Sequence, residues 1–147
     1  MSIENGCILA ALSLSDELES IAVRARQLAQ GMALPLVFVH IVDDTALYDY
    51  ANSFSLSGLV SGEYDEVEAN NELKARKLIE KRLSSDSHPG ETLEIHAGAR
   101  AETLEMLARQ RPTAIIVLGQ PETHSGSVIM HIVRHAPCDI HIVRTAS

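Results

Sequence analysis

Five short apolar runs alternate with longer amphipathic segments along this chain, and that alternation constrains the fold more than any other feature of the sequence. Short apolar runs without a polar face are typical of strands that are buried on both sides of a sheet. The predicted strands are Gly6–Leu12, Leu36–Val42, Thr92–His96, Ala114–Leu118 and Ile140–Val143. Their alternation with helices predicts an α/β fold, with a five-stranded, mainly parallel sheet and helices on both faces.

The segments between the strands repeat their apolar residues at helical spacing. The first follows Ser15 or Asp16, either of which can cap a helix, and it stops near Gly31. The second and third helices are predicted over Val67–Leu83 and Glu102–Gln110. The last carries an apolar stripe of Val128, Ile129, Ile132 and Val133.

Length and charge narrow the class of protein. A chain of 147 residues fits one domain, so we expect residues 1–147 to fold as a single unit. A net charge of −8 makes a nucleic-acid backbone or an anionic membrane surface an unfavourable partner. No apolar run approaches the roughly 20 residues needed to span a bilayer, and the sequence starts without a signal pattern. Because Cys7 and Cys138 lie in apolar stretches without metal-like spacing, a cytoplasmic protein with reduced thiols is predicted.

One predicted connection, Asp43–Glu66, is 24 residues long, whereas such links usually have only a few residues. It contains four of the five aromatic residues, namely Tyr48, Tyr50, Phe54 and Tyr64. Aromatic side chains bury large areas, so this segment is expected to be docked and not to be a free tether. Three interpretations stay open: it folds back over its own sheet edge, contacts a protein partner, or covers a ligand site as a lid.

Parallel α/β sheets bind ligands at the carboxyl ends of their strands, where the direction of winding reverses. The first strand and the strand that ends at Gly119 are the predicted flanks of such a crevice. Beyond Gly119, the residues Ser125, Gly126 and Ser127 open the last helix. Two interpretations of that opening stay open: a serine caps the helix, or the exposed backbone N–H groups hold a small anion such as a single phosphate.

Four sequence segments together carry a resemblance to a known family. They are ILAALSLSDELESIAVRARQLA at the first strand and helix, FVHIV at the second strand, HAGARAETLEMLARQRPTAIIVLG, and GSVIMHIVRHAPCDIHIVR at the carboxyl terminus. The last is the most specific, because it combines Gly-Ser-Val, a helix, Arg-His-Ala-Pro-Cys and a terminal strand. The chain resembles the universal stress protein family over nearly all of its length outside residues 43–90, which implies a Rossmann-like fold.

Some members of that family bind ATP through Gly-x-x-Gly, nine further residues and Gly-Ser or Gly-Thr. The resemblance matches Gly119 to the first glycine, and Gly126 with Ser127 to the final pair. Glu122 stands at the second glycine, and Gly119 to Gly126 is 7 positions where the pattern needs 13. The acidic residue that follows the first strand in nucleotide-binding members corresponds to Ser13. The phosphate loop is therefore shortened.

The residues that remain in this loop disfavour a triphosphate. Glycines let successive backbone N–H groups curve around phosphate, whereas Pro121 removes one donor and Glu122 adds a negative charge. Each lost hydrogen bond to a charged group costs about 1.5–3 kcal/mol, so tight ATP binding is not expected and no cofactor is predicted. The alternative is adenosine or an adenine nucleotide (AMP, ADP or ATP) in an altered crevice, with Ser13, Ile41, Gly98 and Gly119 along its walls.

Neither a metal site nor a catalytic site is predicted. His131 and His135 have a spacing that can bind metal, but they flank the apolar stripe and no cysteine or carboxylate completes a site. Both are expected to be solvated. The Ser125 to Ser127 segment lacks the Gly-x-Ser-x-Gly pattern, and no paired carboxylates follow the strands. The chain is therefore predicted not to be an enzyme.

The terminal strand suggests self-association. The resemblance places it at the sheet edge, where its backbone groups are unpaired in a monomer. Family members commonly dimerise by pairing this strand, which implies a homodimer through Ile140, His141, Ile142 and Val143. The predicted function is a homodimeric, non-catalytic stress-response or regulatory module without tight ATP binding, with residues 43–66 as a candidate contact for a protein partner. An adenine-nucleotide sensor is the alternative.

Overall fold

The computed structural model describes residues 6–42, 61–83, 87–120 and 126–144, with the backbone alone for 61–70. The strands are Cys7–Ala11 (β1), Leu36–Val42 (β2), Glu91–Ala97 (β3), Thr113–Gln120 (β4) and Asp139–Arg144 (β5). The helices are Leu18–Met32 (α1), Ser61–Arg82 (α2), Arg100–Gln110 (α3) and Ser127–His135 (α4). Strands and helices alternate in the predicted order.

The five strands form one sheet in the order β3-β2-β1-β4-β5. Every neighbouring pair is parallel, so the predicted α/β fold is confirmed and the sheet is parallel throughout. The winding runs outward from β1 through β2 to β3, then returns to β4 on the other side of β1. Its direction therefore reverses between β1 and β4, the two strands that the sequence marked as flanks of a crevice.

The two faces of the sheet carry separate apolar layers because consecutive side chains of a strand point to opposite sides. Ile8 and Phe38 pack in the layer that contains α1 and α2, whereas Leu9 and Val39 pack in the layer of α3 and α4. All four side chains are completely buried. Burial on both faces explains why β1 and β2 lack the polar alternation of a half-exposed strand.

The ends of α1 differ from the prediction. Glu17 and not Ser15 or Asp16 precedes the helix, and no side chain caps it. The Ser15 hydroxyl instead accepts the backbone N–H of Glu17 at 3.2 Å, which closes the loop in front of the helix. At the other end the helix passes Gly31 and stops at Ala33, whose backbone is left-handed with φ 55°.

Helix α2 begins at Ser61, six residues before the predicted start at Val67, so the segment predicted as a 24-residue connection is shorter. Residues 61–66 are helical, and residues 43–60 lie outside the described part of the chain. The prediction failed because SGEYDE lacks an apolar period, although its backbone continues the helix. The three interpretations of residues 43–66 stay predictions.

A buried ion pair joins α1 to the start of β3. The Arg26 guanidinium donates to both carboxylate oxygens of Glu91, each at 2.8 Å, and to the carbonyl of Leu83 at 3.1 Å. It also lies 5.6 Å from the centre of the Phe38 ring. Only 14% of the Arg26 side chain and 11% of the Glu91 side chain are exposed. These hydrogen bonds connect α1 to the end of α2 and to the amino end of β3.

Strands β3 and β5 form the edges of the sheet, and the edge position of β5 is the one that the family resemblance implied. Val143 is buried, whereas Ile142 remains 38% exposed. In the described ranges no helix is long and apolar enough to cross a membrane.

Candidate functional site

A cavity of about 760 Å³ opens at the carboxyl ends of the central strands. It lies where the winding reverses, with β1, β2 and β4 below it and the first turns of α1, α3 and α4 around it. Ligand sites of proteins commonly enclose about 300–1,000 Å³ and occupy this position in open parallel sheets. We refer to this cavity as the crevice.

The residues predicted from the sequence divide into three groups. Those that line the crevice are Ser13, Ile41, Gly119, Gly126 and Ser127. Gly98 does not line it, although the neighbouring Ala99 does. Ser125 lies outside the described residues. The structure therefore brings together residues from three separate parts of the chain, and their binding role stays a prediction.

Gly98 serves the turn between β3 and α3. Its φ is 148°, and an added Cβ would lie 2.5 Å from the Thr103 hydroxyl, so a side chain would strain the backbone and displace Thr103. Its N–H donates to the Val42 carbonyl at 3.0 Å. The glycine thus orients the start of α3, and only through α3 does it shape the crevice.

Gly119 has a packing reason to be glycine. An added Cβ would meet the Ile21 Cδ1 atom at 2.6 Å and the Glu17 Oε2 atom at 3.3 Å. Since Ile21 is 2% exposed, α1 packs directly over the end of β4. Gly119 therefore allows this close approach of helix and strand, whether or not a ligand binds beside it.

The first turn of α4 faces the crevice through Gly126 and Ser127. Gly126 precedes the helix and supplies no side-chain cap, and its carbonyl accepts the Met130 N–H at 2.7 Å. The first N–H groups of any helix lack partners inside the helix, and the helix dipole adds positive potential there. The first turn of α4 contains no acidic residue. This end can accept a small anion.

His40 was not predicted as a site residue, although its motif FVHIV was noticed. It is 8% exposed on β2, and its Nδ1 donates to the Leu12 carbonyl at 2.8 Å. Burial lowers the pKa of His40, with nearby Arg100 acting in the same direction, so the ring is neutral at pH 7. His40 is one of the residues that line the crevice, and its Nε2 is then a hydrogen-bond acceptor. The sequence contained one clue to this residue, namely a histidine inside an otherwise apolar strand.

Three charged residues of the crevice also escaped sequence reasoning: Glu17 at the start of α1, and Arg100 with Glu102 in the first turn of α3. In a parallel α/β fold, a helix that follows a strand begins near the carboxyl end of the sheet, so the residues of its first turn lie close to a ligand site there. The sequence position of these three residues was therefore a clue to the site, but solvent-exposed residues occupy the same position in helices that bind nothing.

His131 is not solvated as predicted. Its Nε2 lies 2.7 Å from the Glu105 carboxylate, and its ring is 4.5 Å from that of His135. The hydrogen bond from His131 and a second from Arg109 lower the pKa of Glu105. The pair connects α3 to α4 beside the crevice. Among the described residues no group of three histidine, cysteine or carboxylate side chains is arranged to hold a metal ion.

The sequence model described as the Universal stress protein family matches residues 5–144. The chain belongs to the universal stress protein family. The solved structure of universal stress protein UspA from Lactobacillus plantarum is 28% identical, with 93% of this chain and 96% of that chain covered and a TM-score of 0.68.

Two further universal stress protein structures share the fold and contain nucleotides. One, in complex with cAMP, is 18% identical, with 95% of this chain and 97% of that chain covered and a TM-score of 0.61. The other, from Archaeoglobus fulgidus in complex with dAMP, is 18% identical, with 93% and 96% covered and a TM-score of 0.53. No curated protein matches the chain.

Proposed function

We propose that this universal stress protein is a non-catalytic, homodimeric regulatory module of the stress response that does not bind ATP tightly. The observation that carries the proposal is the short connection between β4 and α4. Strand β4 ends at Gln120 and α4 begins at Ser127, which leaves the six residues 121–126 between them. A triphosphate needs many backbone N–H donors in a concave loop, and so short a connection supplies few of them.

The hydrogen bonds of the crevice support a non-catalytic role. A nucleophile needs a base within hydrogen-bond reach, and the base needs a free nitrogen or oxygen. The Ser13 hydroxyl is 2.9 Å from the Ser15 hydroxyl and not from a base. His40 uses Nδ1 on a backbone carbonyl, and His131 uses Nε2 on Glu105. Among the described residues, no hydrogen bond joins the Ser13 hydroxyl to a histidine or a carboxylate that could activate it.

A second candidate function, which the crevice itself favours, is the binding of adenosine or an adenine nucleotide with one phosphate. The volume of about 760 Å³ suits a ligand of that size. The first turn of α4 provides N–H groups for a single phosphate. Two relatives of the same fold hold cAMP and dAMP, each with one phosphate.

The edge strand β5 supports the homodimer. Its outer backbone groups face away from β4, and Ile142 leaves 38% of its surface exposed. A second copy that pairs with β5 would satisfy those groups and continue the sheet.

The deciding experiment denatures freshly purified protein and analyses the supernatant for released nucleotide, then measures melting temperature with ATP, AMP and adenosine. We expect no stoichiometric ATP and no shift with millimolar ATP. Stoichiometric release of ATP would overturn the first proposal. A shift with AMP or adenosine alone would support the second.

A matched pair of variants locates any ligand. Ala101 lines the crevice from the first turn of α3, and Met106 is 46% exposed on the same helix. Ala101→Trp fills part of the crevice and should abolish the melting shift, whereas Met106→Trp adds the same ring outside it and should retain the shift. An equal response of both variants would place the ligand elsewhere.

A further inference from the structure

We propose that Glu17 sets the ligand class of the crevice: its carboxylate disfavours phosphate and selects an uncharged nucleoside over the corresponding nucleotides. This inference rests on the second candidate function, the binding of an adenine-class ligand, and narrows it. It concerns a residue outside the glycine pattern that defines phosphate loops.

The position of Glu17 is determined by the packing of α1. Its Oε2 atom lies 3.3 Å from the point where a Cβ of Gly119 would stand, and so sits at the end of β4. Gly119 and Gly126 flank the connection between β4 and α4, and both line the crevice with Glu17. The carboxylate therefore stands on the side of the crevice where a helix N-terminus would otherwise attract a phosphate.

No described residue neutralises this carboxylate. Its backbone N–H bonds to the Ser15 hydroxyl, but the described part of the chain holds no hydrogen bond or ion pair to its side chain. The nearby acid Glu19 differs, because Arg82 pairs with it on the outer side of α1. Glu17 thus presents a carboxylate to the crevice that has no partner among the described residues.

The other charges of the crevice largely cancel. Arg100 and Glu102 carry opposite charges within the first turn of α3. His131 is paired with Glu105, and the buried ring of His40 is neutral. Among the described residues of the crevice the Glu17 carboxylate is therefore the charge without a counterpart, and it repels a phosphate group that approaches it.

Uncharged hydrogen-bond donors of a ligand are attracted by the same groups that repel a phosphate. Glu17 and His40 both line the crevice, and the Glu17 carboxylate and the Nε2 atom of His40 are both hydrogen-bond acceptors. The hydroxyl groups of a ribose and the amino group of a purine are donors that suit them. A nucleoside gains these hydrogen bonds without bringing a charge toward Glu17.

The test is calorimetric titration of adenosine, AMP and ATP into the wild type, Glu17→Gln and the control Asp16→Asn. Asp16 is exposed on the same loop and does not line the crevice, so its substitution changes the net charge by the same amount but outside the crevice.

We expect the wild type to bind adenosine at least about tenfold more tightly than AMP, the effect of one charge near a partly exposed site. Glu17→Gln should raise AMP affinity by about tenfold and change that for adenosine by less than about threefold, since its amide oxygen still accepts. Asp16→Asn should preserve the wild-type preference.

Salt provides a second readout. The wild-type preference for adenosine over AMP should shrink as ionic strength rises, because the screening length falls from about 10 Å at 0.1 M to about 3 Å at 1 M. The preference of Glu17→Gln should respond much less. Equal affinity of the wild type for AMP and adenosine, or an unchanged ratio in a folded Glu17→Gln protein, would overturn the role of Glu17 and leave the crevice function standing. Failure of all three ligands to bind either protein would overturn both.

Discussion

The two ends of the sheet differ in whether their carboxylates are paired. At the amino ends of the strands, Arg26 and Glu91 form a buried pair in which both carboxylate oxygens are satisfied. At the carboxyl ends, Glu17 stands beside a cavity without a described partner. The first arrangement connects α1, the end of α2 and β3, and the second borders a cavity of about 760 Å³.

The difference supports a role in stability for one end and is consistent with the role in ligand selection that we propose for the other. A buried charge is tolerated only when it is paired, so the amino end loses much if either partner is removed. A charge beside an open crevice remains hydrated and costs little, so it can face a ligand. Substitutions at the amino end should therefore affect unfolding, and those at the carboxyl end should affect packing or binding.

The largest expected effect is that of Arg26→Ala. It leaves Glu91 buried without its partner, which should lower the free energy of unfolding by about 3–5 kcal/mol in denaturant titrations. Arg76→Ala is the control, because Arg76 is 3.9 Å from Glu80 in an exposed pair and should cost below about 1 kcal/mol. Similar losses in the two variants would contradict the distinction between a buried and an exposed pair.

Gly119→Ala should cost about 1–3 kcal/mol, because its Cβ would lie 2.6 Å from the Ile21 Cδ1 atom. Ile21→Val removes that atom, so the double variant should be less destabilised than the sum of the single ones. Gly31→Ala is the control: nothing lies within 4 Å of its added Cβ, and it should stabilise α1 by up to about 1 kcal/mol. Strict additivity at residues 21 and 119 would show that the close approach does not limit stability.

Acid should weaken the amino end. Burial alone would raise the pKa of Glu91, but its bonds from Arg26 and from the His88 N–H outweigh burial, and the pKa is lowered. A carboxylate with a lowered folded pKa contributes stability above its unfolded pKa, and this is lost as pH falls through the folded value. We expect stability to fall below about pH 4.5, with at most about 1.4 kcal/mol per pH unit from this group. Glu91→Gln should reduce the slope, and an unchanged slope would exclude Glu91 as its source.

The smallest effect concerns association at β5. Ile142→Lys places a charge on the exposed edge and should weaken strand pairing by about tenfold or more, as measured by light scattering across micromolar concentrations. Val133→Lys is the control, because Val133 is 52% exposed on α4 and off the edge. If both variants keep the dimer, or if the wild type is a monomer, pairing through β5 is excluded.

Much of the fold was predictable because buried strands and helix faces consist of apolar residues that can be recognised in the sequence. The run LVFVHIV has the predicted bounds of β2, since an apolar segment flanked by Pro35 and Asp43 has few alternatives. The start of α2 was not predictable in the same way, because residues 61–66 are polar and helical only by continuity with the rest of the helix.

The candidate site was predictable in part for a topological reason. Ser13, Ile41 and Gly119 follow or end parallel strands, so the order of elements alone places them at one edge of the sheet. Glu17 and His40 required the tertiary structure, because their roles depend on which atoms they face. A polar side chain near a strand end is equally consistent with solvent and with a cavity.

The sequence by itself determined the α/β class and a mainly parallel sheet, because these follow from apolar periodicity. The family and the shortened segment between Gly119 and Gly126 followed from the resemblance of its motifs to those of the universal stress proteins. Only the tertiary structure decided that Ile21 packs over Gly119, that Arg26 pairs with Glu91 and that Glu17 faces the crevice. Those contacts join residues far apart in the chain. Their distances depend on how helices and strands pack, and local sequence does not encode that packing.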